Sequence, residues 1–360
     1  MTNARVNEID LLRFLAALSV VFYHYTFRGY AADGLSMMAY PLLSPAMKYG
    51  YLGVELFFMI SGFVVLMTAA ASARLRDFCI SRIVRLYPAF WACCTITYAA
   101  TLAISSQNAA SFDQYVANMT MLSGLSRIAP IDGAYWSLMV EIRFYAMVAV
   151  LLAIGRIHQA QRFIVLWLLA CIAFEALSRL PMASMPSRVL HYLGYLLIVD
   201  YATYFIGGAI CYLIWSKGRS LARFAVLGAS FGLAIFQCWP SLSAFEEHYR
   251  TDLNSGIVIS ILTVFYAVML VVSLRWTGRI ARFRWPLAGA ISYPLYLLHQ
   301  NIGYIIFNHL YTVINPHVLL CATIIFVIAV AYAVHTLVER RLASKMKSIL
   351  AATFNRQAIS

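Results

Sequence analysis

An arginine and a histidine lie eleven residues apart in one apolar stretch, as Arg13 and His24 of the sequence IDLLRFLAALSVVFYHY. In an α-helix, eleven steps of about 100° bring the chain back to within roughly 20° of the same face, about 16 Å further along the axis. Both side chains are therefore predicted to point the same way at two depths of a membrane-spanning helix. Ionisable groups in lipid are costly and persist mainly where they line a cavity and have a function. A histidine so placed can act as a general base near neutral pH.

Two carboxylates are predicted at a similar depth to His24. Glu55 lies near the outer end of the stretch GYLGVELFFMISGF, and Glu141 lies about 10 Å below the outer surface in AYWSLMVEIRFYAM. Ser137 and Tyr145 flank Glu141 at spacings of four and share its helical face. We expect Glu141 to orient His24 and stabilise its charge, as the carboxylate of a catalytic triad does. Glu55 is a candidate for substrate binding, and the alternative is a solvated carboxylate at the membrane surface.

Two arginines precede the apolar part of the third predicted helix, in the sequence FCISRIVRLYPAFW. Arg82 and Arg85 are three residues apart and share one edge of the helix, with Tyr87 and Pro88 expected to begin it. Planar guanidinium groups bind phosphate in a bidentate manner, so this pair could hold the phosphates of a substrate. The alternative is ordinary positive charge on the cytoplasmic side of a membrane protein.

The ninth predicted helix carries a third set of polar residues, in ISYPLYLLHQNIGY. Ser292, Tyr296 and His299 share a face by their spacing. His299 is expected near mid-membrane, where it could line a channel and polarise a carbonyl group. The alternative is a hydrogen-bonded histidine with a structural role.

The composition indicates the kind of element that positions these residues. Of 360 residues, 62% are hydrophobic and only 11% are charged, whereas a soluble domain is nearer half apolar and a quarter charged. The apolar residues form stretches long enough to cross about 30 Å of hydrocarbon. We therefore predict an all-α polytopic membrane protein with about ten transmembrane helices, over residues 9–30, 50–71, 86–105, 134–155, 162–179, 194–216, 221–238, 254–274, 287–308 and 317–338.

The basic residues predict the orientation of these helices. Most of the 27 lysines and arginines fall in the loops of one side, which is therefore cytoplasmic and contains both termini. The net charge of +13 is accounted for by this topology, with attraction to anionic lipid headgroups as a second contribution. The charges are dispersed among short loops, which argues against nucleic-acid binding.

The chain is predicted to form one membrane domain, residues 1–340, and a basic cytoplasmic tail, residues 341–360. The seven cysteines form no C-x-x-C pair, so no metal site is predicted. Intramembrane Arg, Glu and His groups are also typical of proton relays, so a proton- or solute-coupled transporter is the alternative class. The paired Arg82 and Arg85, and the lack of an evident inverted repeat of broken helices, favour an enzyme.

Five segments in order resemble the acyltransferase 3 family of integral membrane acyltransferases, over roughly residues 8–340. They are DLLRFLAALSVVFYH, GVELFFMISGF, RIVRLYPAFW, WSLMVEIRFY and ISYPLYLLH. The terminal HTLVERRL is a weaker match, because the family often has Glu-x-Pro there and this chain has Arg341 in place of the proline.

The resemblance implies transfer of an acyl group, often acetyl, from cytoplasmic acyl-CoA to a hydroxyl of a carbohydrate acceptor such as a surface or exported polysaccharide. It implies a bacterial inner-membrane location, with acyl-CoA as the donor substrate and no tightly bound cofactor. Combined with the predicted depths, it suggests that Arg82 and Arg85, with Arg13, hold the CoA phosphates while the thioester reaches His24. A covalent acyl-histidine and direct transfer both remain open.

Overall fold

The computed structural model describes residues 6–72, 74–104, 110–179, 187–278 and 280–356, and all regular structure within them is helical. Two helices continue into π-helical segments, α1 into His24–Ala32 and α13 into Val334–Glu339. The α-helices are α1 Asn7–Tyr23, α2 Ser44–Met47, α3 Gly53–Ala71, α4 Leu75–Ile104, α5 Phe112–Met119, α6 Trp136–Ala153, α7 Ala160–Ser178, α8 Ser187–Leu197, α9 Val199–Lys217, α10 Leu221–Tyr249, α11 Ser255–Ser273, α12 Pro286–Leu310, α13 Pro316–Ala333 and α14 Arg340–Arg356.

Nine helical stretches of the described residues are long and apolar enough to cross a membrane. The chain is thus a polytopic all-α membrane protein, as predicted. Helix α12 is not among the nine, although its 25 residues would span a bilayer. It carries the polar run from His299 to Asn301 in its middle, and this lowers its hydropathy. It corresponds to the ninth helix predicted from the sequence.

Three predicted boundaries were wrong. Helix α4 begins at Leu75 and contains Pro88 in its interior. A helix can continue beyond the hydrocarbon, and it can tolerate the loss of the single hydrogen bond that proline removes. Helix α10 likewise continues through Pro240 to Tyr249. The stretch predicted as one helix over 194–216 is interrupted at Ile198, whose φ is 55°.

The C-terminal part of the chain is helical where it is described. Most of the predicted basic tail, residues 341–360, belongs to α14, which ends at Arg356. Residues 357–360 lie outside the described part. The division into a membrane domain and a tail stays a prediction.

Several helices begin with residues that satisfy or dispense with the free N–H groups of the first turn. The side chain of Asn254 accepts a hydrogen bond from the backbone N–H of Ile257 at the start of α11. Asn315 caps α13 in the same way, and Pro316 follows it as the first helical residue. Helix α12 also begins with a proline, Pro286. Both prolines occupy the position where a missing N–H costs least.

The helices form two compact units. The first consists of Met1–Glu8, Glu55–Leu75 and Val140–Arg284. Its central helix is α9, which contacts α7, α10 and α11, and every residue from 202 to 214 is buried. A helix that is apolar and buried all round is expected at the centre of a bundle.

The second unit consists of Ile9–Val54, Arg76–Met139 and Trp285–Ser360. Its central helix is α12, which packs along α13 and contacts the π-helical segment of the first span and the short 3₁₀ turn Gly133–Tyr135. These contacts bring the polar middle of α12 against His24–Ala32, the C-terminal part of the first membrane-spanning stretch, Asn7–Ala32.

Candidate active site

Two histidines from distant parts of the chain meet inside the second unit. Nδ1 of His24 lies 3.1 Å from Nε2 of His299, and the two rings are edge to face with centroids 4.7 Å apart. Both side chains are buried, His299 completely. His24 is the first residue of the π-helical segment that follows α1, and π-helical turns are rare elements that often occur at functional sites.

Backbone carbonyl groups fix the tautomer of each neutral imidazole ring. Nδ1 of His24 lies 2.8 Å from the carbonyl oxygen of Val20, and Nδ1 of His299 lies 2.8 Å from that of Tyr296. A carbonyl oxygen can only accept a hydrogen bond, so Nδ1 carries the proton in each ring. Nε2 is then the basic atom in each ring. His299 Nε2 accepts from the N–H of His24, and His24 Nε2 is the atom that can take a proton from a substrate.

An arginine contacts this basic atom. Nη1 of Arg28 lies 3.3 Å from Nε2 of His24, and its Nε donates to Oδ2 of Asp33 at 2.7 Å. The Arg28 side chain is 22% exposed and that of Asp33 17%. The guanidinium is thus held between a carboxylate and the imidazole.

A buried carboxylate anchors the polar middle of α12. Asp132 is fully buried and accepts hydrogen bonds from the backbone N–H groups of Ala134 and Asn301. The side chain of Asn301 donates to the carbonyl oxygen of Ile131 at 2.6 Å. Removal from water disfavours the charged form, so burial raises the pKa of Asp132 from 3.8 to about 6. This anchor fixes α12 two residues beyond His299.

The other predicted polar residues of this unit form local contacts. Oγ of Ser137 lies 2.8 Å from the hydroxyl oxygen of Tyr296, so α6 and α12 are joined one turn before His299. Ser292 is buried and donates to the carbonyl oxygen of Gly289. Arg13 is half-buried on α1. Tyr296 and Ser137 are therefore near the histidine pair, whereas Ser292 satisfies its own helix.

The predicted phosphate-binding arginines lie on α4. Nη1 of Arg85 forms an ion pair with Oε1 of Glu339 at 2.8 Å, and Oε2 of Glu339 lies 2.8 Å from Nδ1 of His335. Arg82 donates from Nη2 to the hydroxyl of Ser81 at 3.0 Å. Glu339 and His335 belong to the second π-helical segment. The carboxylate holds one guanidinium in place.

The predicted acidic residues have partners in the first unit. The carboxylate atom Oε1 of Glu141 accepts hydrogen bonds from the hydroxyls of Ser61 and Tyr145, at 2.7 and 2.6 Å. Glu55 is partly buried in the first turn of α3, and its Oε2 has no hydrogen-bond partner among the described residues. The orienting role of Glu141 toward His24 stays a prediction.

Sequence reasoning missed several polar residues that the structure brings into these clusters, among them Arg28, Ser61, Asp132 and Glu339. Arg28 lies four residues after His24, within the first predicted helix, and this spacing could have identified it. Ser61 lies within a recognised motif, and Glu339 in the weakest one. Asp132 shows no periodicity at all, because it lies in a loop. Within the described part of the chain, no cluster of His, Cys, Asp or Glu could hold a metal ion.

The fold and the site together define a membrane-embedded protein with a base-competent histidine inside its helices. The chain belongs to the acyltransferase 3 family, whose model, described as an acyltransferase domain, matches residues 6–336. It is a multi-pass membrane protein of this family. It is also similar to Nodulation protein 10 of Rhizobium leguminosarum bv. viciae, at 29% identity over 170 residues. That match covers 42% of this chain and 45% of the relative, so it spans less than half of either protein. No solved structure matches significantly.

Proposed function

We propose that the protein moves an acyl group, with acetyl as the first candidate, from cytoplasmic acyl-CoA to a hydroxyl of a carbohydrate in the bacterial inner membrane. The observation that carries the proposal is the contact of His24 with His299, because it leaves Nε2 of His24 as the base of a buried pair. A general base is the group that acyl transfer to a hydroxyl requires.

The reaction balances with this single base. Nε2 of His24 takes the proton of the acceptor hydroxyl as its oxygen bonds to the thioester carbonyl carbon. The carbonyl π electrons move to oxygen and then return as the carbon–sulfur bond breaks. The CoA thiolate leaves and takes the proton from His24. The products are the acyl ester and free CoA thiol, and His24 is neutral again.

His299 is the positioning residue in this mechanism. When His24 accepts a proton at Nε2, the positive charge is shared with its Nδ1–H, which donates toward Nε2 of His299 and the carbonyl oxygen of Val20. A base is most effective when a third group fixes its tautomer and orientation. Here the neutral imidazole of His299 and the backbone carbonyl of Val20 provide that support. Glu141 is a second candidate for the group that orients His24.

The donor is expected to bind through its phosphates at the arginines of α4. Arg82 and Arg85 lie one turn apart on this helix, and Glu339 holds Arg85 by an ion pair. A preoriented guanidinium binds phosphate at a smaller entropic cost than a free one. Arg13, at the predicted cytoplasmic depth of α1, is a third candidate for this role.

We propose that five further polar residues contribute to the substrate path, namely Ser137, Tyr296, Tyr145, Ser292 and Glu55. A hydroxyl network such as Ser137 with Tyr296 can donate to a substrate oxygen. The buried Oε2 of Glu55 can accept a hydrogen bond from an acceptor hydroxyl. Membership in an acyltransferase family favours this function over a coupled transporter, although both would use intramembrane charges.

The test is CoA release from acetyl-CoA by detergent-purified protein. Wild type is compared with His24→Ala and with His309→Ala, which alters an exposed histidine at the end of α12. Acceptors are water and a panel of hexose glycosides, and free thiol is followed. We expect turnover in wild type and in the His309 variant, and none in the His24 variant. Turnover by a folded His24→Ala protein would contradict the base assignment, and absence of acetyl-CoA binding to wild type would favour the transporter.

A further inference from the structure

The environment of the basic atom of His24 is unusual for a base that acts alone. A guanidinium lies at hydrogen-bond distance from it, since Nη1 of Arg28 is 3.3 Å from Nε2. A positive charge so close opposes protonation of the imidazole. Such a contact would hinder the base unless a negative charge forms nearby at the same time.

The contact has a second consequence for substrate binding. A neutral imidazole Nε2 has one lone pair and accepts one hydrogen bond. An acceptor hydroxyl that donates to Nε2 of His24 must therefore displace the N–H of Arg28. The displaced donor remains beside the reacting atoms, because Nε of Arg28 is tethered to Asp33 at 2.7 Å.

We propose that Arg28 is a catalytic residue that donates a hydrogen bond to the thioester carbonyl oxygen and stabilises its negative charge during transfer. The inference rests on the proposed acyl transfer. As the acceptor oxygen bonds to the carbonyl carbon, the proton moves to Nε2 of His24 and the electron pair moves to the carbonyl oxygen. Positive charge on His24 and negative charge on the substrate develop together, and the guanidinium lies where it can contact the latter.

The position of Arg28 suits this role. Its side chain is mostly shielded from solvent, at 22% exposure, so the interaction is weakened less than a surface contact would be. Asp33 is the positioning residue: its carboxylate accepts from Nε of Arg28, and its backbone N–H donates to the carbonyl oxygen of Arg28. A fixed donor needs no reorganisation as charge forms, which is why such donors contribute strongly to acyl transfer.

The test uses the full-length protein in detergent, with acetyl-CoA as donor and the acceptor panel above. Arg28→Ala is compared with Arg28→Lys and with Arg188→Ala, a control at an exposed arginine of α8. We expect kcat of Arg28→Ala to fall by about 100- to 1,000-fold, with the Kd for acetyl-CoA within about threefold of wild type. Arg28→Lys keeps the charge but not the planar donor, so its kcat is expected to lie between those of Arg28→Ala and wild type. Millimolar guanidinium chloride should restore part of the rate of Arg28→Ala only.

The outcomes separate this inference from the proposed function. Wild-type turnover together with near-normal kcat in Arg28→Ala would overturn the role of Arg28 and leave acyl transfer intact. A fall in rate that is matched by weaker acetyl-CoA binding would assign Arg28 to the donor site instead and also overturn the role. If Arg28→Ala does not fold, the kcat of Arg28→Lys decides, since wild-type kcat there would contradict a need for the guanidinium. No CoA release by wild type would overturn both proposals.

Discussion

His24 donates from Nδ1 toward Nε2 of His299 across 3.1 Å, which joins the first span of the chain to α12. His299 orients the ring of His24 as the carboxylate of a catalytic triad orients its histidine, but it adds no buried negative charge. An ionised carboxylate in this position would have to be compensated inside the membrane, at a cost that a neutral ring avoids.

This relationship predicts different effects for two substitutions of His299. His299→Leu removes the acceptor for Nδ1–H of His24, so we expect kcat to fall by about 100-fold. The side chain in His299→Gln can still accept a hydrogen bond from His24 through Oε1, so the fall in kcat should be much smaller. Because neither change touches the donor arginines, the KM for acetyl-CoA should stay near the wild-type value in both. Steady-state kinetics of the purified variants measures both quantities.

A purely structural role for His299 would give another pattern. Both variants would then lose activity in proportion to their loss of folded protein, and the glutamine variant would be no more active than the leucine variant. Comparable kcat values for the leucine and glutamine variants, at equal thermal stability, would therefore contradict the positioning role.

The helical positions of the two histidines could be predicted from the sequence, but their contact could not. Spacing alone placed His24 on the face of Arg13, and His299 on the face of Tyr296 and Ser292. Periodicity reports which residues share a face of one helix and carries no information on which helices adjoin. His24 and His299 are 275 residues apart, so their contact follows from the packing of α12 against the first span.

The membrane spans were predictable for a different reason. Hydrocarbon excludes unsatisfied backbone groups, so an apolar stretch of sufficient length must be helical. That constraint ends at the headgroups, and the predicted boundaries failed there, as at Leu75 and Tyr249. Asp132 lies in a loop between spans, where no periodicity applies, and its role depends on Asn301 of α12.

Arg85 provides a test of donor binding. If it contacts a CoA phosphate, Arg85→Ala should raise the KM for acetyl-CoA by about 10- to 100-fold. The KM for S-acetylpantetheine, which lacks phosphates, should not change. The matched control is Arg76→Ala, since Arg76 lies earlier on α4 and pairs with the neighbouring Asp77.

The ion-pair partner of Arg85 requires a second comparison. Removal of Arg85 takes away one of the two ion-pair partners that the described residues give the buried Glu339, and this loss destabilises the fold. The double variant with Glu339→Gln removes this charge. Equal losses with both donors in the double variant would count against a phosphate contact.

Asp132 predicts a pH dependence of stability. Its pKa is about 6 in the folded protein and 3.8 without burial, so the folded state binds the proton more tightly. The stability that this group contributes is complete below pH 4 and is lost as the pH rises through 6, by up to about 3 kcal/mol. Asp132→Asn cannot titrate and keeps an oxygen to accept from Ala134. The Tm of this variant minus that of wild type should therefore increase from pH 5 to pH 8, and a constant difference would contradict the shift.

Close packing of α3 and α9 in the first unit predicts a stability difference between two glycine substitutions. A Cβ added at Gly208 would overlap the carbonyl oxygen of Met59, whereas one at Gly228 would meet nothing within 4 Å. Gly208→Ala must push the two helices apart and should destabilise the unit by about 1–3 kcal/mol. Gly228→Ala lies in the same unit, on α10, and should be neutral or stabilising because alanine favours helix. Thermal unfolding in detergent compares them, and equal Tm values would mean that the helices can separate at no cost.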